Sequence, residues 1–217
     1  MNNWATAKAS ILIRNLGQMD YAEAWELQKN IQSQVIAGTH PDALLLVEHE
    51  PVYTLGKNAD VNHIIATEEN EIKTFHIERG GDVTYHGPGQ LVGYPILDLH
   101  HYRRSVSWYM RTLEEVIIRS LGEFGITAGR KDGLTGVWVD DEKIAALGVR
   151  ITRWVTMHGF ALNVNPNLTH YAGIIPCGIF EFGVTSMSRV LDRRVKVPDV
   201  IPVLADKFIE IFDSKEH

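Results

Sequence analysis

The chain has very little cysteine, with a single thiol, Cys177, in 217 residues. One cysteine excludes an intramolecular disulfide, which fits a protein of a reducing compartment. The sequence also has no run of about 18 uninterrupted apolar residues, which excludes a membrane-spanning helix. Its first residues lack the basic start and the long apolar stretch of a signal peptide. We therefore expect a cytoplasmic protein that makes no contact with a membrane.

Excess positive charge is missing as well. The formal net charge is -6 at pH 7, which argues against nucleic acid as a partner. The arginines nevertheless cluster in three segments, namely Arg103, Arg104, Arg111 and Arg119, then Arg150 and Arg153, then Arg189, Arg193 and Arg194. Such clusters are either solvated surface or docking sites for acidic partners, and the sequence leaves both interpretations open.

Metal-binding and nucleotide-binding patterns are absent too. None of the 10 histidines has the spacing of a helical His-x-x-x-His pair or stands with a Cys-x-x-Cys pair, so we expect no metal. The glycine-rich stretch at 79–90 is neither Gly-x-Gly-x-x-Gly nor a P-loop, and it lacks Gly-Lys-Ser/Thr. Its glycine amides beside Arg79 either hold an anionic group or form a structural turn.

Hydrophobic periodicity predicts a mixture of strands and helices. A strand is expected over 8–14, a helix opened by Asp20 with Glu23 as its capping partner, an apolar strand over 43–47, and a loop with a strand edge over 49–56. A strand over 91–99 is expected to be interrupted by Gly93 and Pro95.

The second half of the chain is patterned in the same mixed way. Ser105 is expected to cap a helix that ends at Gly125, and a final helix begins at Val197. The stretch 136–163 alternates like a β-meander with a turn at Asp140-Asp141. Because strict βαβ alternation is absent, the expected class is α/β (α+β), with a mixed sheet and flanking helices in one domain over 1–217.

The residues with the clearest chemical potential are a thiol and an amine. Cys177 lies in Pro-Cys-Gly, a sequence that breaks regular structure and presents the side chain. A nearby ammonium favours the thiolate, and Lys143 is the candidate for it. His86 and His158, each followed by glycine, compete with Lys143 for the role of base. The sequence alone does not rank the lysine against the histidines.

The motifs together resemble those of a known family. The run from Arg79 to Pro95 closely resembles the signature of the lipoate-protein ligase B family, the octanoyl-[acyl-carrier-protein]:protein N-octanoyltransferases. The resemblance continues in five further segments, in family order, over roughly residues 40–190: His49–Gly56, Gly136–Trp138, Lys143–Ala145, His158–Asn163 and Ile175–Gly178. No functional position departs from the family pattern.

The resemblance implies the fold of biotin and lipoate ligases and a covalent acyl transfer. An octanoyl group would pass from acyl carrier protein to Cys177 as a thioester, and then to a lysine of a lipoyl domain, with Lys143 tuning the thiol. His158 is a possible accessory residue. The implied acyl-binding residues are Arg79, Gly80, Gly81, Asp82, Val83, Thr84, Tyr85, His86, Ala146, Leu147, Gly148, Gly159, Phe160 and Ala161.

The resemblance also implies what the reaction needs from outside the chain. The partners are octanoyl-acyl carrier protein and the lipoyl domains of 2-oxoacid dehydrogenase E2 subunits and of the glycine cleavage H protein. No cofactor is expected, because the incoming thioester is already activated. The alternatives are an ATP-dependent lipoate or biotin ligase, which would not need Cys177, and a non-catalytic module that binds acyl carrier protein.

Overall fold

The structure, a computed structural model, describes residues 11–57, 59, 72–174 and 183–213. Within these ranges the helices are Tyr21–Ile36 (α1), Val106–Gly122 (α2), Met187–Val190 (α3) and Val197–Asp213 (α4). The strands are Leu12–Gln18 (β1), Ala43–Glu48 (β2), Val52–Leu55 (β3), Lys73–His76 (β4), Val83–His86 (β5), Gln90–Ile96 (β6), Gly129–Lys131 (β7), Leu134–Val139 (β8), Glu142–Thr152 (β9), Val155–Asn163 (β10) and Gly183–Val184 (β11).

Most of the strands form one large mixed sheet. Its order is β1-β2-β6-β10-β9-β8-β7, and β11 joins it by pairing with β9. The β1–β2 and β11–β9 pairs are parallel, whereas the other neighbours are antiparallel. The β9–β10 ladder ends at Ala145, and β11 meets β9 just beyond it, with Val184 opposite Lys143. The expectation of a mixed sheet is confirmed.

Helices cover both faces of this sheet. Because side chains alternate along a strand, β2 divides its apolar residues between two clusters. Leu44 and Leu46 pack into the cluster that contains α2 and α4, whereas Leu45 and Val47 pack into the cluster that contains α1. Every residue of β10 is buried, as expected for a central strand with both faces covered. The predicted flanking helices are therefore confirmed.

A second, smaller sheet has the order β4-β3-β5. Strand β3 is its centre, parallel to β4 and antiparallel to β5, and all four of its residues are buried. Val52 of β3 packs against Tyr21 at the start of α1. The sequence predicted a loop and a strand edge here, and the buried central strand is the correction.

Two strands of the large sheet also differ from expectation. Strand β1 starts at Leu12 and runs to Gln18, because its polar second half is held by the parallel ladder to β2 rather than by burial. Residues 8–10 of the predicted strand lie outside the described residues. Strand β6 is continuous through Gly93 and Pro95. Its pairing with β10 stops at Gly93, so no amide is required of Pro95 on that side.

The helix starts predicted at Asp20 and Ser105 are confirmed by their caps, and α4 begins at Val197 as predicted. Asp20 Oδ1 accepts the Ala22 amide at 2.8 Å, and Ser105 Oγ accepts the Trp108 amide at 3.3 Å. Helix α2 ends at Gly122, and the chain then turns at Gly125, whose φ of +80° suits glycine. The meander also turns where expected, with Asp140 at φ +50°.

No helix in the described part of the chain is long and apolar enough to cross a bilayer.

Candidate active site

A cavity of about 480 Å³ opens between the large sheet and strand β5 of the small sheet. Its volume lies in the range usual for small-molecule sites. The lining comes from the loop at 79–82, from β5, from the middle of β6, β9 and β10, and from the start of α2. The lining residues include Arg79, Gly80, Gly81, Asp82, Val83, Thr84, His86, Val92, Tyr94, Val106, Met110, Lys143, Ala146, Leu147, Gly148, His158, Gly159, Phe160, Ala161, Asn163, Tyr171 and Val184.

The glycine-rich loop forms one wall because its backbone lies directly on two strands. The Gly80 amide donates to the Val149 carbonyl oxygen at 3.0 Å. A side chain at Gly148 would place its Cβ 2.9 Å from the Gly80 oxygen, so only glycine fits opposite the loop. The Arg79 guanidinium points inward and donates through Nη2 to the Thr54 carbonyl and hydroxyl oxygens, at 2.7 and 2.9 Å. Arg79 therefore holds the loop to β3.

Small residues on neighbouring strands line the side of the cavity that is formed by the large sheet. Ala146 of β9 lies opposite Ala161 of β10, and Gly148 lies opposite Gly159. A Cβ at Gly159 would lie 2.3 Å from the Gly93 oxygen, so the close packing of β10 on β6 requires glycine there. These pairs leave an apolar trough along the sheet, the shape that an extended hydrocarbon chain fills.

Lys143 lies at one end of this trough. Its Nζ is 4.8 Å from the centre of the Trp138 ring, a cation–π distance. The Thr185 amide donates to the Lys143 carbonyl oxygen at 3.0 Å, which fixes the strand register with β11. The aliphatic part of the side chain packs over Gly136, where a Cβ would lie 3.2 Å from Lys143 Cε. The side chain is thus held at the edge of the cavity by packing on β8, while the backbone is held by the hydrogen bond from Thr185.

Cys177 lies outside the described residues, which stop at Ile174 and resume at Gly183. The described residues on either side of that gap border the cavity. Tyr171 lines it before the gap, and Val184, which pairs with Lys143, lines it after the gap.

A network centred on Asn163 joins the two borders of the gap. The Tyr171 hydroxyl donates to Asn163 Oδ1 at 3.1 Å, and Asn163 Nδ2 donates to the Thr185 carbonyl oxygen at 3.0 Å. Gln90 Nε2 joins this network by donating to Asn163 Oδ1 at 3.0 Å and to the Tyr171 hydroxyl oxygen at 2.9 Å. The network is buried and belongs to the same end of the cavity as Lys143.

The two candidate histidines are buried and neutral. Burial, with a further contribution from the His49 ring, lowers the pKa of His86 to about 3. Burial, with a further contribution from the Arg79 charge, lowers the pKa of His158 to about 3. The His86 Nδ1–H donates to Gln90 Oε1 at 2.7 Å, which fixes its tautomer. At neutral pH both imidazoles are therefore uncharged, so neither is the cationic acid that protonates a leaving group.

The structure gathers almost every predicted binding residue of the described chain around this one cavity. Tyr85 is the exception, because its hydroxyl meets His170 Nδ1 at 2.7 Å and its ring fills the space beside Gly87. The lining residues that sequence reasoning missed include Tyr21, Val92, Tyr94, Asn163 and Tyr171. Val92, Tyr94 and Asn163 stand inside the recognised motifs, which could have indicated them, whereas Tyr21 and Tyr171 carry no local signal.

No group of three or more histidine, cysteine, aspartate or glutamate residues within the described part of the chain is arranged to hold a metal ion.

The architecture and the cavity place the chain in the structural class of lipoate and biotin protein ligases. It superposes on lipoate-protein ligase A bound with ATP with a TM-score of 0.72, over 95% of this chain and 86% of that one, at 16% identity. It superposes on biotin protein ligase from Aquifex aeolicus in complex with biotin and ATP with a TM-score of 0.57, over 93% of this chain and 70% of that one, at 12% identity. At such low identities the likeness concerns the fold.

Sequence comparison identifies the family. The family model of the lipoyl protein ligase A/B catalytic domain matches residues 20–209. The chain is 51% identical to an octanoyltransferase of Gloeobacter violaceus, over 90% of this chain and 87% of that protein. It is 49% identical to an octanoyltransferase of Solibacter usitatus, over 93% and 92%. The chain therefore belongs to the lipoyl protein ligase A/B catalytic-domain family, and it is an acyltransferase that transfers octanoyl groups in protein lipoylation.

Proposed function

We propose that the chain moves an octanoyl group from the thioester of acyl carrier protein to a lysine of a lipoyl domain through a thioester on Cys177. The observation that carries the proposal is the apolar trough that ends at Lys143, between the two borders of the segment that contains Cys177. The trough supplies binding energy, since burying the seven carbons beyond the carbonyl contributes on the order of 5 kcal/mol.

In the first half-reaction the Cys177 thiolate attacks the carbonyl carbon of the octanoyl thioester. The new carbon–sulfur bond forms on Cys177, and the carbon–sulfur bond to the phosphopantetheine breaks. The departing thiolate takes a proton from the Lys143 ammonium, which leaves Lys143 neutral. The neutral His86 and His158 are far weaker acids than an ammonium, so Lys143 is the better proton donor.

In the second half-reaction the neutral amine of the lipoyl-domain lysine attacks the Cys177 thioester. An amide bond forms, the Cys177 thiolate leaves, and the amine proton passes to Lys143. The thiolate and the ammonium are thereby restored together, so one ion pair serves both halves of the cycle. Because the donor thioester is already activated, the reaction needs neither ATP nor a metal.

The partners follow from the reaction. The donor is octanoyl-acyl carrier protein, and the acceptors are the lipoyl domains of 2-oxoacid dehydrogenase E2 subunits and the glycine cleavage H protein. Lipoate-protein ligase A, a structural neighbour, is known with ATP bound. An ATP-dependent ligase reaction is therefore the alternative that the experiment must separate.

Intact-protein mass spectrometry after incubation with octanoyl-acyl carrier protein tests the proposal. We expect a gain of one octanoyl group that neutral hydroxylamine removes. Because Cys177 is the only cysteine, a labile adduct identifies its own site. The Cys177→Ser variant should show no such adduct and should lose transfer to a lipoyl domain while it keeps its fold. If the serine variant transfers octanoate from free octanoate and ATP at the wild-type rate, the ligase alternative is established instead.

A further inference from the structure

The lining of the cavity changes from apolar to polar along its length. The antiparallel register places Val92, Ala161 and Ala146 side by side on β6, β10 and β9. Two residues further from Lys143, Gly148 and Gly159 lie opposite each other. Tyr94 belongs to the same cluster as Val92 and also lines the cavity. The Tyr94 hydroxyl donates to His49 Nε2 at 2.8 Å, because His49 Nδ1 is committed to the Met19 carbonyl oxygen. The end far from Lys143 is therefore a polar compartment.

His158 is the most unusual residue of that compartment. Its backbone has a φ of +59° inside a strand, a conformation that non-glycine residues rarely adopt. The residue is only 2% exposed, and its Nε2 has no hydrogen-bond partner among the described residues. An unpaired buried ring nitrogen carries a desolvation cost that a bound water would remove, and His158 is one of the residues that line the cavity.

The length of an octanoyl chain matches the apolar part of the trough. Seven carbon–carbon bonds of about 1.5 Å at angles of about 111° give an extended length of about 9 Å. A strand advances about 3.4 Å per residue, so a chain that begins level with Lys143 ends about level with Ala146 and Ala161. Four more carbons add about 5 Å and bring the chain end to the polar compartment.

We propose that His158 and Tyr94 form a polar, water-binding floor that limits the acyl chain to about the length of an octanoyl group. The inference rests on the proposed function, since it places the acyl carbonyl at the Lys143 end. Methylene groups that enter the compartment displace the water from His158 Nε2 and offer no hydrogen bond in return. Longer chains therefore gain nothing from their additional carbons.

The test is a competition between octanoyl- and dodecanoyl-acyl carrier protein, with both acyl groups counted on the enzyme and on a lipoyl domain. In the His158→Leu variant the floor becomes apolar. The ratio of dodecanoyl to octanoyl product should then rise roughly tenfold, the factor that corresponds to two additional buried methylene groups. The Tyr94→Phe variant should raise the same ratio by a smaller factor, since it removes one hydroxyl group.

Two controls separate a polar floor from a general defect. The His158→Gln variant keeps a hydrogen-bonding side chain and should keep the wild-type ratio. The His101→Leu variant makes the same substitution at an exposed position outside the cavity lining and should also keep it.

The outcomes distinguish the inference from the proposed function. An unchanged ratio in both His158→Leu and Tyr94→Phe would overturn the floor, and if the leucine variant does not fold, the phenylalanine variant decides alone. Equal rises in the leucine and glutamine variants would also overturn it, because the side-chain volume rather than polarity would then matter. Transfer to the lipoyl domain without an adduct on the enzyme would reject the Cys177 route, and the product ratio would still report on the floor.

Discussion

At the scale of single residues, two lysines lie at cation–π distance from the Trp138 ring but have different further neighbours. Lys143 Nζ lies 4.8 Å from the ring centre and borders the cavity, whereas Lys131 Nζ lies 5.3 Å from it and pairs with the exposed Asp141. Both ammonium groups therefore make a cation–π contact with the same indole ring. Only Lys143 stands on the strand that pairs with β11, so we expect Lys143 and not Lys131 to influence the thiol.

The first prediction concerns the charge of Lys143. Replacing it in Lys143→Met removes the cation that favours the thiolate, so the pH at which iodoacetamide labels Cys177 should rise by roughly one to two units. Octanoyl transfer should fall by roughly 10²- to 10⁴-fold, the range for loss of a proton-transfer group. Labelling rates measured from pH 5 to pH 10 give the first quantity, and single-turnover transfer gives the second.

The chain offers a matched control for that experiment. Lys131→Met also removes an ammonium from the Trp138 ring but leaves the cavity lining intact, and it should leave the labelling midpoint in place. If Lys143→Met labels with the wild-type profile, the thiol is activated by another group, and His86 would be the next variant to make.

At the scale of elements, one asparagine forms hydrogen bonds with two pieces of chain that border the cavity. Asn163 closes β10, accepts from Tyr171 before the gap at 175–182, and donates to the Thr185 carbonyl after it. Both pieces border the cavity at the Lys143 end. We therefore expect Asn163 to act as a positioning residue through Tyr171 and Thr185, which lie on either side of residues 175–182.

The second prediction follows from this role. Asn163→Ala leaves several buried polar groups unpaired, which should lower the free energy of unfolding by about 1–3 kcal/mol. It should also lower kcat by at least tenfold, because small displacements of reacting groups cost rate steeply, while KM for acyl carrier protein changes little. Gln32→Ala is the matched control, since Gln32 Nε2 is a buried donor to the Val155 carbonyl oxygen at 3.0 Å outside the cavity lining.

The two variants should lose similar stability in denaturant unfolding and differ in kcat. If kcat falls equally in both, Asn163 contributes only to folding and the positioning role is wrong.

The elements show which parts of the structure the sequence could predict. The helices that begin after Asp20 and Ser105 were predictable, because a cap and an apolar stripe are both local signals. The continuity of β6 was not predictable, because the space beside Gly93 is filled by the Phe160 ring. The Cζ atom of that ring lies 2.1 Å from where a Cβ would be. That contact joins residues far apart in the chain, so no local pattern indicates it.

The same distinction holds for the candidate site. The glycines, Lys143 and the loop at Arg79 stand in recognisable motifs, so the sequence could indicate them. The neutrality of His86 and His158 was not predictable, since it results from burial and from residues far away in the chain, His49 near His86 and Arg79 near His158. Tyr21 lines the cavity because α1 starts beside β3, which is likewise a long-range result.

At the scale of the whole molecule, a net charge of -6 leaves local patches to attract an acidic carrier protein. Arg103 and Arg104 are exposed and directly precede α2, whose Val106 is 50% exposed and lines the cavity. Two other candidates from the sequence are already ion-paired, Arg111 with Glu114 at 2.8 Å and Arg150 with Glu78 at 3.1 Å. The structure therefore favours Arg103 and Arg104 as the docking arginines.

The last prediction reverses these two charges. In the double variant Arg103→Glu and Arg104→Glu, KM for octanoyl-acyl carrier protein should rise by roughly tenfold at low salt, because complementary charges act mainly on encounter. The difference from wild type should shrink as salt is added, since exposed charges are screened. The rate with octanoyl N-acetylcysteamine thioester should stay within twofold, because that substrate needs no docking surface.

The double variant Arg193→Glu and Arg194→Glu reverses the same charge on an exposed loop outside the cavity lining and should leave KM in place. A parallel loss with the small thioester would show that Arg103 and Arg104 build the site itself, and an equal effect of the control pair would show that net charge alone controls association.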